Sequence, residues 1–170
     1  LKERLKSAKK TVAAVSVCAL LFTGACGTAG GQNSDVNATL WSAPSTVKYM
    51  LDDSPVSDYG ENMNVSLAAN EKESAQLTVT PKSNVKNYEI SISDLTGDNG
   101  HTISKENVSV FVEKYINVST VTTVFRAGYY PDALVPYDSV KQAKEDRIKA
   151  GQNQTFLFTV YAPENTPAGN

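Results

Sequence analysis

The sequence predicts an all-β protein, an antiparallel β-sandwich of the immunoglobulin or jelly-roll kind. Three observations carry this. Apolar residues recur at every second position in run after run, as in Met63, Val65 and Leu67 or Phe156, Phe158 and Val160. Successive strand side chains point to opposite faces, so such a run buries one face and wets the other, the habit of antiparallel sheets. The runs are short and are separated by Asn, Gly, Pro and Asp clusters, the spacing of a sandwich. No disulfide supports the fold: of the two cysteines, Cys18 lies in an apolar leader, so the core must hold the domain together.

In chain order, residues 1–10 hold five basic side chains and one acid, and 11–25 are apolar and small. The apolar run is shorter than the roughly 20 residues a membrane span requires. A basic start, a short apolar stretch and a small-residue exit describe a secretory signal over 1–25. Cys26 follows Thr23-Gly24-Ala25 and precedes a Gly/Ser/Asn-rich stretch. That arrangement resembles a bacterial lipobox, which implies lipid attachment at Cys26, although Thr23 stands where such boxes prefer Leu or Val. Ordinary cleavage near Ala25 or Ala29, with secretion, is the other reading. Residues 26–38 then form a flexible tether, and 39–170 the β-sandwich. The protein is expected to be exported and held at a membrane or cell surface.

The sandwich segment opens on Trp41, expected in the core. Strands are predicted over 63–67, 75–79, 88–92, 108–118 and 156–160. Asn70-Glu71-Lys72 separates the first two. Pro81 ends the second because it cannot donate to a ladder. Asp98-Asn99-Gly100 supplies the positive-φ residues of a tight turn. Asp138 to about Lys144 is the one helical patch, with Asp138 or Ser139 as its cap.

Charge and composition narrow the function. The chain has 16 basic and 18 acidic side chains; without residues 1–25 it keeps 11 and 17, a net of −6. Nucleic-acid binding requires a basic face and is not expected. His101 is the only histidine, a poor basis for a metal site, and no cofactor loop is present. Asp94 and Asp98 lack the glycine and glutamate of a calcium loop. Asp52, Asp53, Asp58 and Glu61 read as a solvated polar loop. Glycoside hydrolysis usually takes two carboxylates flanking the bond, and no such pair stands out.

The segment RAGYYPDALVPY at 126–137 is the most unusual. Pro131 and Pro136 restrict the backbone around them. It reads as a rigid loop presenting Tyr129, Tyr130, Pro131, Asp132 and Tyr137 to a neighbouring domain or a ligand, since tyrosine joins an apolar ring to a polar tip.

Three motifs in order give the chain a family resemblance. Asn70, Glu71, Glu73, Ser74 and Gln76 match an Asn-Glu-x-Glu-Ser-x-Gln turn leading into a strand. Gly128, Tyr130, Pro131, Asp132, Leu134 and Pro136 match Gly-x-Tyr-Pro-Asp-x-Leu-x-Pro. Gly151, Asn153 and Gln154, then Pro163, Thr166 and Gly169, match the third. Together they resemble the N-terminal β-sandwich of glycoside hydrolase family 123-like proteins, many of them exported lipoproteins. The resemblance implies a following (β/α)₈ barrel holding the catalytic acids, so that the sandwich here would lack its final strand and the chain alone would not be an enzyme. It also implies action on N-acetyl-β-galactosaminides, with the substrate's acetamido group as nucleophile. Asn70, Glu71, Glu73 and Gln76 are expected to fix a turn. A free-standing carbohydrate-binding or adhesion module is the alternative function.

Overall fold

A computed structural model describes residues 12–15, 20–22, 37–54, 60, 62–97, 100–124 and 126–169. Its strands are β1 (Val12–Val15), β2 (Leu20–Phe22), β3 (Ala38–Pro44), β4 (Met63–Ser66), β5 (Glu71–Pro81), β6 (Val85–Lys86) and β7 (Tyr88–Ile90), followed by β8 (Leu95–Thr96) and β9 (Thr102–Ile103). Then come a 3-10 turn (Lys105–Asn107), β10 (Val108–Val118), β11 (Gly128–Pro136), the α-helix α1 (Tyr137–Gln142), β12 (Arg147–Ile148) and β13 (Gln154–Ala162).

The fold is all-β, antiparallel and sandwich-like. Its main layer is a five-stranded sheet in the order β11-β10-β13-β5-β3. The second layer is built of short pairs, among them β4 with β1, β7 with β2, and β6 with β12. Near the N-terminus, Val12–Val15 runs antiparallel to Met63–Ser66 and Leu20–Phe22 to Tyr88–Ile90. Cys26, Asp58, Glu61 and Asp98 lie outside the described residues.

The core fills the space between the layers. Ala75, Leu77 and Val79 on β5 meet Phe156, Phe158 and Val160 on β13 and Val112 on β10. Facing them are Met63 and Val65 on β4, Tyr88 on β7, Val85, Ile148 and Val140. The period-two runs therefore aim inward as expected. Tyr88 and Phe156 meet across the layers edge to face, ring centroids 5.3 Å apart.

Local chemistry sets the element ends. Asn70 adopts φ 63° and its amide donates to the Ala162 carbonyl, which ties the β5 entry to the end of β13. β8 and β9 form the hairpin expected around Asp98-Asn99-Gly100. Two expectations need correction. Residues 128–136 are not a loop but the edge strand β11, paired with β10 along its length. Proline is tolerated there because an edge strand leaves one side unpaired and because Pro131 adjoins an irregularity. The helix begins at Tyr137 behind Pro136, with no side-chain cap, so neither Asp138 nor Ser139 caps it. Proline's fixed φ serves at that position without a cap.

Candidate functional site

Both faces of the five-stranded sheet carry buried side chains. One faces the core. The other is covered by residues 45–53, a strap that leaves β3 and crosses the sheet. Alternation along β5 puts Gln76 and Thr78 under this strap, opposite Leu77 and Val79 in the core. Their neighbours on adjacent strands are Ala43, Trp41, Leu157 and Thr155. Trp41 packs edge to face on Tyr49 of the strap, 5.7 Å apart, in a small cluster separate from the main core. Trp41 is thus buried as expected, but on the outer side of its sheet.

Motif residues pin the strap by its backbone. Gln76 Nε2 donates to the carbonyls of Pro44, at 2.7 Å, and Val47. Asn153 Nδ2 donates to the carbonyls of Met50 and Asp53 at 2.9 and 2.8 Å, and its own amide donates to Leu51. Thr80 Oγ1 donates to Asn153 Oδ1 at 2.6 Å. Gly151, at φ 72°, provides the turn that delivers Asn153. Gln154 Nε2 donates to the Glu113 carbonyl, linking β13 to β10. Buried carbonyls without such donors would each cost free energy.

The other motif acids also hold backbone. Glu71 Oε2 accepts from the Ala68 amide at 2.6 Å and Glu73 Oε1 from the Ser74 amide at 3.1 Å. Both sit at the mouth of the turn, while Gln76 lies further along on the opposite face from Glu73.

β11 reaches the strap from the other side. In the register with β10, Lys114 pairs with Ala133 and Tyr115 with Pro131, so Asp132 is an extra residue. Such a bulge re-aims the side chain it carries. Asp132 Oδ1 meets Lys48 Nζ, from the middle of the strap, at 2.7 Å. This contact holds the Asp132 carboxyl below its usual range. Arg126 pairs with Asp53 at 2.6 Å at the strap's end. Tyr130 Oη donates to the Arg126 carbonyl, and Pro131 is buried. Tyr129 and Leu134 remain exposed, as does Ile116 on β10. Tyr137 departs from this group: it stacks on Tyr88 and donates to its carbonyl, facing the second layer. The structure therefore joins Tyr129, Tyr130, Pro131 and Asp132 on one edge and places Tyr137 elsewhere.

The Lys48–Asp132 pair divides two cavities. One, of about 420 Å³, is bounded by Tyr130, Val118, Thr120 and Thr122. The other, of about 320 Å³, lies between strap and sheet and includes Ser74, Glu113, Pro131, Leu134 and Leu157. Glu113 is 6% exposed. Burial pushes its carboxyl up to about 7, and the nearby Lys48 opposes that only in part. Tyr115, on the same strand, is pushed up to about 12 by burial and hydrogen-bonds Thr155. Sequence reasoning missed Glu113: an acid on the polar face of an alternating strand reads as solvated, and nothing local announces the strap. Among the described residues no cluster of three or more metal-ligating side chains occurs, and no helix is long and apolar enough to cross a membrane.

The class of domain that the fold defines is an antiparallel sandwich whose motif residues bind its own backbone. The chain belongs to the glycoside hydrolase 123 N-terminal domain family, whose pattern matches residues 44–170. The match begins at Pro44, where the strap leaves β3. Among solved structures it is similar to a family 123 glycoside hydrolase from Clostridium perfringens, described for glycolipid glycan hydrolysis, at 18% identity and TM-score 0.47. That alignment covers 59% of this chain and 17% of the other. A search of curated proteins finds no match.

Proposed function

We propose that this domain is the non-catalytic N-terminal scaffold of an exported glycoside hydrolase-like protein acting on glycans, tethered to a membrane through a lipid on Cys26. Membership of the N-terminal domain family carries the reading. The site supports it: Asn70, Glu71, Gln76 and Asn153 bind main-chain atoms of this chain. Glu113, buried under the strap, has Lys48 rather than a second acid bearing on its charge.

The edge formed by Tyr129, Tyr130 and Leu134 is the surface for a following catalytic domain. Its exposed apolar side chains stand on a bulged, proline-braced strand that loses little entropy on docking. In the protein that joins this domain to a catalytic barrel, Tyr130→Ala and Leu134→Ala should speed proteolysis at the junction. Hydrolysis of an aryl N-acetyl-β-galactosaminide should survive Glu113→Gln. A junction as resistant as wild type, or loss of turnover in a folded Glu113→Gln variant, would sink the reading. For the tether, the mature N-terminus should carry a diacylglyceryl mass on Cys26; an unmodified thiol there refutes it.

A second reading, a free-standing carbohydrate-binding module, draws on Tyr129, which is 47% exposed beside the Tyr130 cavity. Retardation of the domain on a glycan affinity gel, lost in Tyr129→Ala, would favour this reading over the scaffold.

A further inference from the structure

The cavity between strap and sheet contains a feature that scaffolding does not require. Glu113 is more than nine-tenths buried, burial outweighs the opposing charge of Lys48 at its carboxyl, and no donor among the described residues bonds that carboxyl. Lys48 is already engaged at 2.7 Å by Asp132. The carboxyl oxygens of Glu113 are not sealed off, as Trp41 Nε1 is, but open on the cavity. Its apolar walls are Val47, Pro131, Leu134 and Leu157, and Ser45, Ser74, Lys48 and Asp132 make up the polar side. At about 320 Å³ the space falls at the small end of ligand cavities.

The geometry points to a subsite for a small primary ammonium compound, its –NH3⁺ seated on Glu113 and its aliphatic part against Pro131, Leu134 and Leu157. The local charges are Glu113 and Asp132 against Lys48, one negative charge in excess when all are ionised. Every element around Glu113 fits this count. The strap brings Lys48, with Asp53 at its far end paired to Arg126. β11 brings Asp132. On β10 itself, Lys114 is occupied by Glu145 at 2.9 Å and Tyr115 is uncharged. β5 and β13 offer Ser74 and Leu157, which do not titrate. An ammonium supplies the three donors and the charge that Glu113 lacks.

The inference is independent of the scaffold reading and is tested on the full chain. Titration calorimetry with butylammonium chloride at pH 8, against sodium chloride of equal strength, should show saturable binding. The ligand needs the ionised carboxyl, whose midpoint is near 7. Binding should therefore weaken roughly 100-fold between pH 8 and pH 5. Glu113→Gln, checked for folding by circular dichroism, should lose at least about tenfold in affinity at pH 8 and all of the pH dependence. Glucosamine and butylammonium separate an amino sugar from an alkylamine or lysine side chain as the natural source; binding of either supports the subsite. The inference is overturned if neither produces saturable heat or shifts the Leu134 and Leu157 methyl resonances. Equal binding of uncharged N-acetylglucosamine, or an unchanged affinity in Glu113→Gln, overturns it as well.

Discussion

Asn153 and Glu113 lie under the same strap and do opposite things. Asn153 satisfies the carbonyls of Met50 and Asp53 and accepts from Thr80, with 2% of its surface exposed. Asn153→Ala removes all three bonds at once and should cost ~2–4 kcal/mol in urea denaturation. Glu113 instead opposes folding when ionised. Its folded value, about 7, lies above the ordinary 4.5. The stability linked to this group is fully present below 4.5 and is lost as pH rises toward 7. Melts from pH 4 to pH 8 should show Glu113→Gln overtaking wild type as pH increases. A variant whose advantage does not grow over that window contradicts the burial of a charge there. The two residues also differ in how legible they are. Asn153 sits in a motif, with Gly151 before it and an aromatic strand after it, so a structural task could be anticipated. Glu113 follows Val108, Val110 and Val112 at the position that alternation assigns to water. Alternation tells which side a residue takes, and a cover coming from 60 residues away along the chain leaves no local trace.

At the scale of elements, the strands were legible wherever one face is greasy, because burial itself imposes the period of two. β11 was hidden for a physical reason. Two prolines and an extra residue interrupt its ladder, and these are loop signals when read locally. Only the partner β10 makes the segment a strand, with the bulge at Asp132 absorbing the irregularity. Deleting Asp132 tests that assignment. The pairs Lys114–Ala133 and Tyr115–Pro131 would then follow one another without a gap, so Gly128–Pro131 keep their partners and Lys48 alone loses its contact. Hydrogen exchange at the amides of Tyr115–Val118 should stay as slow as in wild type, and that of β13 and β5 likewise. Faster exchange at Tyr115–Val118 would mean that the ladder needs the extra residue. The helix boundary has a similar origin: Pro136 ends β11 and starts α1 with its own φ, so the cap residues expected nearby were not needed.

Across the whole molecule the question is whether core, sheet and strap form one cooperative unit. β13 is the middle strand of five, and Phe156 on its inner face is fully buried against Tyr88 of the second layer. On the outer face of the same strand Thr155 bonds Thr78 at 2.8 Å, beside Trp41 and under the strap. The strap is in turn fixed by Gln76 and Asn153, side chains of β5 and of the turn into β13. Loss of the core should thus release the strap without a separate step. Phe156→Ala should cost ~3–5 kcal/mol, a large part of the ~5–15 kcal/mol typical of a domain. Trp41 is the only tryptophan and reports the strap side, whereas far-UV circular dichroism reports all strands. In urea the two signals should superimpose for wild type, as one transition requires. Both midpoints should then fall together in Phe156→Ala. A Trp41 transition that stays in place while the dichroism shifts would show that the strap and its cavity fold independently of the sandwich, and the outer face would then need its own account of stability.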